Sequence, residues 1–142
     1  MVLSLILTIV LPPLPLTLVA LVLGAPLYPQ SLIPHTLLLS VHVSLLAILP
    51  LFYTHGVSGF AWRDVMAAWL PFDEAGVWGE FVGCMVGGWI GAVPMALDWD
   101  RDWQAWPVTV LTGAYLGWAF GRVITADLKL GIGRRIDMSV PK

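Results

Sequence analysis

Three aspartates and one arginine stand close together in the second half of the sequence. Asp98, Asp100 and Asp102 alternate with other residues, and Arg101 lies among them. Carboxylates at this spacing could supply oxygen ligands to a hard cation or act in acid–base chemistry. The glycine and the terminal glutamate of an EF-hand loop are missing, and a membrane-type phospholipid-alcohol transferase would need aspartates at helical spacing. We therefore interpret the cluster as a solvated turn rather than a metal or catalytic site.

Few other side chains in the sequence could do chemistry. His35 and His42 share one face of a predicted helix, but no third ligand accompanies them, so polar packing is favoured over metal binding. Cys84 is the single cysteine, which excludes an internal disulfide and predicts a small buried packing residue. No glycine-rich phosphate loop, Ser-His-Asp set or paired-cysteine site is visible. We predict no catalytic residues, no metal site and no cofactor.

The composition is that of a chain whose solvent is mostly lipid. Of its 142 residues, 58% are hydrophobic and only 11% are charged, whereas soluble domains carry about 25% charged residues. A spanning helix needs roughly 20 apolar residues. We predict one all-α membrane domain over residues 1–142, with spans at 2–23, 31–53, 77–97 and 107–125. The net charge of −2 does not favour binding to nucleic acid.

The first two predicted spans differ in their local features. The first lacks the basic start of a signal peptide, so we expect it to be retained. It is interrupted by prolines, which predict a kink, at Pro12, Pro13 and Pro15. The second carries small hydroxyl residues on one face, which favour close helix contact in lipid, at Thr36, Ser40 and Ser44.

Glycine recurs every fourth residue in the third and fourth predicted spans. The third span carries Gly79, Gly83, Gly87 and Gly91, and the fourth carries Gly113, Gly117 and Gly121. We call these two series the glycine ladders. Helices without side chains on one face can approach closely and gain dispersion contacts in the bilayer. We favour packing of the two spans against each other, and docking of a partner protein's helix is the alternative.

Basic residues predict how the chain is oriented in the membrane. One side would hold the termini and the loop 56–76, with six basic residues: Arg63, Arg122, Lys129, Arg134, Arg135 and Lys142. The other side holds only Arg101. The positive-inside rule then predicts a cytosolic loop at 56–76, a cytosolic tail at 127–142 and a lumenal or extracellular cap at 98–106. Trp62 to Trp69 has the apolar spacing of a short interfacial helix.

One stretch of the chain resembles the signature of the PIG-F family. It runs from Gly88 to Pro107, and two shorter stretches, Leu49–Val57 and Gly113–Gly117, are also similar to family members. The resemblance covers about residues 20–125. The residues that carry it, and that we take as candidate contacts, are Trp89, Gly91, Pro94, Asp98, Trp99, Asp100, Arg101, Trp103, Gln104, Trp106 and Pro107.

The resemblance implies an accessory role in the synthesis of glycosylphosphatidylinositol (GPI) anchors. Proteins of this family are multi-span proteins of the endoplasmic reticulum that stabilise the catalytic subunits of GPI ethanolamine-phosphate transferases. The expected partners are such a subunit and membrane lipids. Two alternatives stay open: a protein that binds or presents phosphatidylethanolamine or a GPI intermediate, and a direct phosphoethanolamine transferase.

The sequence departs from the family pattern in three places. Ala96 stands where the second proline is usual, and Gly88 stands where alanine is usual. Family members usually have six spans, so we expect this chain to lack the first two. Losing two spans preserves the side predicted for every loop.

Overall fold

A computed structural model describes residues 2–58, 62, 76–97 and 101–128. These residues form six α-helices: α1 (Val2–Val10), α2 (Pro13–Val22), α3 (Ile33–Val43), α4 (Leu49–His55), α5 (Val77–Ala92) and α6 (Val108–Arg122). Short 3-10 helices lie at Gln30–Leu32, Val93–Ala96 and Asp102–Gln104, and π-helical turns lie at Ser44–Ile48 and Val123–Asp127. The described part of the chain contains no strand, and the prediction of an all-α protein is confirmed.

Three helical stretches are long and apolar enough to cross a membrane. They are Val2–Val22, Gln30–His55 and Val77–Ala96, close to the first three predicted spans. The fourth predicted span, formed by α6 and the turn after it, is not among them. Its glycines and Arg122 lower its mean hydropathy. The architecture is that of an all-α membrane protein.

Prolines determine where the first two spans are irregular. The first span breaks between Val10 and Pro13, because consecutive prolines cannot donate the backbone hydrogen bonds that would continue α1. The kink predicted from the sequence is confirmed. In the second span, the π-helical turn directly precedes α4, whose second residue is Pro50. A widened turn accommodates the ring, which would otherwise clash with the carbonyl four residues earlier.

The core between the second span, α5 and α6 is built from small side chains. Ala47, Cys84 and Ala114 are at most 1% exposed and meet at its centre. Larger side chains close around them: Val43, Leu46, Ile48, Phe81, Met85 and Trp118. Small residues let the three helices approach closely, so dispersion contacts hold them together where lipid removes any hydrophobic driving force.

The outside of the helices is apolar, as expected for a surface that faces lipid. Val22 is 86% exposed, and Trp89 and Phe120 are 70% and 67% exposed. Such exposure would be costly in water and is normal in a bilayer. Residues 129–142 of the predicted tail, most of the 56–76 loop and the predicted interfacial helix after Trp62 lie outside the described residues. Trp62 itself donates from Nε1 to the Gly56 carbonyl oxygen at 2.9 Å.

Candidate functional site on the α5–α6 hairpin

The two glycine ladders face each other across the α5–α6 interface. A Cβ added at Gly87 would meet the Gly113 carbonyl oxygen and lie 2.8 Å from Gly117 Cα. The same relation pairs Gly79 with Gly121 and Gly83 with Gly117. Real Cβ atoms essentially never come within 3.0 Å of such neighbours. The backbones of the two antiparallel helices are therefore in direct contact, and any side chain at these positions would separate them.

The ladder ends at Gly91, where a Cβ would lie 3.0 Å from Val110 Cα. At the opposite end of the hairpin, Gly76 has a φ of 72° and immediately precedes α5. The Thr125 hydroxyl donates to the Gly76 carbonyl oxygen at 2.8 Å, which ties the start of α5 to the end of α6. Contacts between α5 and the α6 end of the chain therefore hold the hairpin together at both ends, and the ladder glycines between them contact the opposite helix.

Gln104 holds the turn between the two helices. Its Nε2 donates to the Pro94 carbonyl oxygen and, at 2.9 Å, to that of Leu97. Its Oε1 accepts from the backbone N–H of Arg101 at 2.9 Å. One amide side chain thus satisfies two carbonyls that follow α5, where Pro94 ends the regular helix, and one N–H of the turn.

Trp106 connects the turn to the second span. Its Nε1 donates to Thr36 Oγ1 at 3.0 Å, and Thr36 is fully buried. Thr36 Oγ1 in turn donates to the Leu32 carbonyl oxygen at 3.2 Å. The sequence assigned Trp106 to the cap and Thr36 to helix packing. Only the tertiary structure brings them together.

The remaining candidate residues are distributed around this turn. Pro107 immediately precedes α6, which begins at Val108, one residue later than the sequence suggested. Arg101 and Trp103 are exposed, and Trp89 lies on the exposed surface of α5. Asp98, Trp99 and Asp100 lie outside the described residues. Within the described residues, no group of three or more His, Cys, Asp or Glu side chains could hold a metal ion.

An ion pair near the other end of the hairpin was not predicted from the sequence. Arg122 Nη1 donates to Glu80 Oε1. The Glu80 side chain is 3% exposed, whereas that of Arg122 is 54% exposed. A buried carboxylate in a spanning helix needs a partner. The signal was available, because Glu80 follows Gly79 and Arg122 follows Gly121, and those two glycines pair across the hairpin.

Two histidines of the second span have hydrogen-bond partners within the protein. His42 Nδ1 and the Tyr115 hydroxyl of α6 are 3.0 Å apart and share a hydrogen bond. His35 Nδ1 lies 3.0 Å from the Ser31 carbonyl oxygen in its own helix. The His42–Tyr115 contact is a further polar link between the second span and α6, beside the Trp106–Thr36 contact.

The hairpin presents an apolar groove on its outer side. We call this the outer groove; it measures about 370 Å³. Its floor is formed by ladder glycines and its walls by larger side chains, among them Val82, Val86, Ile90, Phe120 and Ile124. Val86, Ile90 and Phe120 are 49%, 56% and 67% exposed. Within the described residues, the outer groove is an exposed apolar surface of the hairpin that a second helix could contact.

Comparison with known proteins matches most of the chain to one family. The family described as "GPI biosynthesis protein family Pig-F" matches residues 1–126. A relative in Pyricularia oryzae, named glycosylphosphatidylinositol anchor biosynthesis protein 11, is 49% identical over 119 residues, covering 84% of this chain and 43% of the relative. Proteins of the same name in Aspergillus fumigatus and Saccharomyces cerevisiae are 49% and 38% identical, over 86% and 79% of this chain.

The chain spans less than half the length of these relatives, since it covers 40% of the Aspergillus fumigatus protein and 44% of the Saccharomyces cerevisiae protein. No solved structure matches this chain. The family match confirms the resemblance drawn from the Gly88–Pro107 stretch, and it extends to the first span as well. By its sequence, and with a helical membrane architecture, this chain belongs to the PIG-F family of GPI biosynthesis proteins.

Proposed function

We propose that this chain acts in GPI-anchor biosynthesis as a non-catalytic accessory subunit that stabilises a GPI ethanolamine-phosphate transferase. The observation that carries the proposal is the family match over residues 1–126, with relatives named for GPI-anchor biosynthesis. Because the chain spans less than half of those relatives, the activity, the partner and the location in the endoplasmic reticulum are all part of the proposal.

The use made of the polar side chains supports a structural role. Gln104 holds the turn, Glu80 pairs with Arg122, and Thr36 accepts the hydrogen bond of Trp106. Each of these groups is engaged in holding helices together. A catalytic group would instead be expected in a cleft, with its reactive atom open to a substrate.

The outer groove is the surface that we propose for the partner's membrane region. The glycine ladders contact each other, so we propose that a partner helix docks on the outer side of the same hairpin. Val86, Ile90 and Phe120 are exposed there beside a glycine floor. Ridges next to a smooth groove are the geometry that a transmembrane helix of a partner needs for close packing.

Affinity purification in a mild detergent, with identification of the co-purifying chains, tests this proposal. We expect a large catalytic transferase subunit to co-purify with the full-length protein. Ile90→Ala and Phe120→Ala should lower its recovery, because they remove ridges of the outer groove. Leu18→Ala is the matched control, since Leu18 is 64% exposed on α2, which does not line the outer groove. Equal recovery with all three variants would refute the docking surface.

A direct transferase is the competing enzymatic function. The purified chain would then transfer phosphoethanolamine by itself, whereas the accessory role predicts transfer only when the catalytic subunit is present.

The predicted orientation in the membrane has its own test, because the sequence contains no asparagine and therefore no natural acceptor for N-glycosylation. An engineered glycosylation acceptor in the 98–106 cap should be modified if the cap is lumenal. An acceptor placed in the 127–142 tail should stay unmodified.

A further inference from the structure

A crevice of about 440 Å³ separates α2 from α5, with α3 forming its third wall. Its lining includes Leu16, Val19, Leu39, Met85, Gly88 and Ala92. Two further residues of the lining, Leu23 and Trp89, are 73% and 70% exposed. We call this the lateral crevice. Because its walls belong to spanning helices and its edges are exposed, it opens sideways toward lipid.

Two polar groups of the lateral crevice already have partners within the protein. Ser40 Oγ donates to the Thr36 carbonyl oxygen at 3.0 Å and accepts from Thr17 Oγ1 at 2.9 Å. Trp106 also lines the crevice, and its Nε1 is bound to Thr36. Polar partners are what water or a polar ligand would need. An apolar occupant requires none, so the lining favours hydrocarbon.

The size of the crevice matches a chain thinner than a helix. One turn of an α-helix with its side chains fills roughly 400–600 Å³, from a diameter of about 10–12 Å and a pitch of about 5.4 Å. The crevice of about 440 Å³ would therefore hold about one turn. It follows α5 from Cys84 to Ala92, a length of about 12 Å. That is close to one leaflet of a hydrocarbon core about 30 Å thick.

The turn beside the crevice carries charges of both signs, and we call its exposed edge the rim. Met95 and Ala96 line the crevice, and Gln104 binds the carbonyl oxygens on either side of them. The same amide fixes the backbone of Arg101, and Asp102 is the next residue; both side chains are exposed. A cation and an anion side by side at this rim complement a headgroup that holds a phosphate and an ammonium group.

We propose that the lateral crevice binds a zwitterionic glycerophospholipid from the leaflet on the side of the turn. One acyl chain lies along α2 and α5, between Leu16 and Trp106. The phosphate faces Arg101, and the ammonium group faces Asp102. This site is separate from the outer groove, so it does not depend on the proposed transferase partner.

Photo-cross-linking in nanodiscs tests the acyl-chain site. The probe is phosphatidylcholine with a diazirine on one acyl chain, and adducts are mapped by peptide mass spectrometry. Gly88→Leu and Ala92→Leu fill the crevice, and a Cβ at Gly88 makes only ordinary contacts, the nearest at 3.7 Å. Each of these two substitutions should lower the adduct yield on crevice residues about tenfold, which corresponds to a tenfold higher Kd for the acyl chain. Ala119→Leu, on the exposed surface of α6, is the control and should not change it.

The headgroup is tested with the same acyl chain on phosphocholine, phosphoglycerol and diacylglycerol. The wild-type protein should prefer phosphocholine, and Arg101→Gln should reduce its preference over diacylglycerol about fivefold, while Arg101→Lys retains most of it. Circular dichroism confirms that each variant is folded. Equal crevice labelling in Gly88→Leu, Ala92→Leu and Ala119→Leu overturns the acyl-chain site. The acyl-chain site is also overturned if a protein helix occupies the crevice and protects it from labelling. Stronger labelling by phosphoglycerol overturns the zwitterionic assignment.

Discussion

Gly87 and Gly88 are neighbours on α5, and alanine should have opposite effects at the two positions. A Cβ at Gly87 would lie 2.8 Å from Gly117 Cα and 3.0 Å from the Gly113 carbonyl carbon. A Cβ at Gly88 would come no closer than 3.7 Å to any neighbour. Both substitutions change the same helix in the same way chemically. Only the contact with α6 differs, so Gly88→Ala is a matched control for Gly87→Ala.

The expected free energies of unfolding follow from these contacts. Alanine in place of glycine favours a helix by up to about 1 kcal/mol, which applies to both variants. Overpacking costs about 1–3 kcal/mol, and it applies at Gly87 alone, where the opposing atoms are backbone and cannot rotate away. Because α6 moves as a unit, the whole interface between the ladders also loses dispersion contacts. Because the helix-propensity gain is common to both, we expect Gly87→Ala to be about 1–3 kcal/mol less stable than Gly88→Ala.

Reversible unfolding in mixed detergent micelles, followed by far-UV circular dichroism, measures this difference. The double variant Gly87→Ala/Gly113→Ala adds a second test. Once α5 and α6 have separated, the second Cβ finds space, so the double variant should be less destabilised than the sum of the two single variants. Equal stabilities for Gly87→Ala and Gly88→Ala would refute direct backbone contact between the helices. Strict additivity in the double variant would contradict the shared interface.

Three further predictions concern the polar contacts. Arg122→Leu should destabilise by about 1.5–3 kcal/mol, the range for a hydrogen bond to a charged group, because it leaves the Glu80 carboxylate buried without a partner. Glu80→Gln should cost less, and adding Glu80→Leu to Arg122→Leu should restore part of the loss. A double-mutant cycle with no coupling would contradict the pair. Gln104→Met should lower the free energy of unfolding by about 1–3 kcal/mol, because its hydrogen bonds are lost, and it should speed amide hydrogen exchange in the turn. An unchanged exchange rate would show that Gln104 does not hold the turn. Thr36→Val should cost about 1 kcal/mol and shift the indole N–H resonance of Trp106, whereas Thr36→Ser should leave that resonance in place.

Much of the membrane architecture could be predicted from the amino-acid types alone. Long apolar runs and their prolines predicted the helices and the break near Pro13, because backbone groups in lipid must be satisfied within a helix. The four-residue spacing placed the ladder glycines of each span on one face. The spacing left the register open, because Gly121 could oppose either Gly79 or Gly83. The structure pairs Gly79 with Gly121 and Gly87 with Gly113.

The tertiary structure decided which surfaces stay free and which distant residues meet. The ladder spacing fits two helices of one chain as well as a helix and its partner, because glycine specifies a close approach and not the identity of the neighbour. The contact of Trp106 with Thr36 joins residues 70 positions apart, and no periodicity encodes it. The lateral crevice is the space left by the angle at which α2, α3 and α5 pack. Sequence fixes the shape of each helix face, whereas cavities and long-range contacts depend on how all the faces fit together.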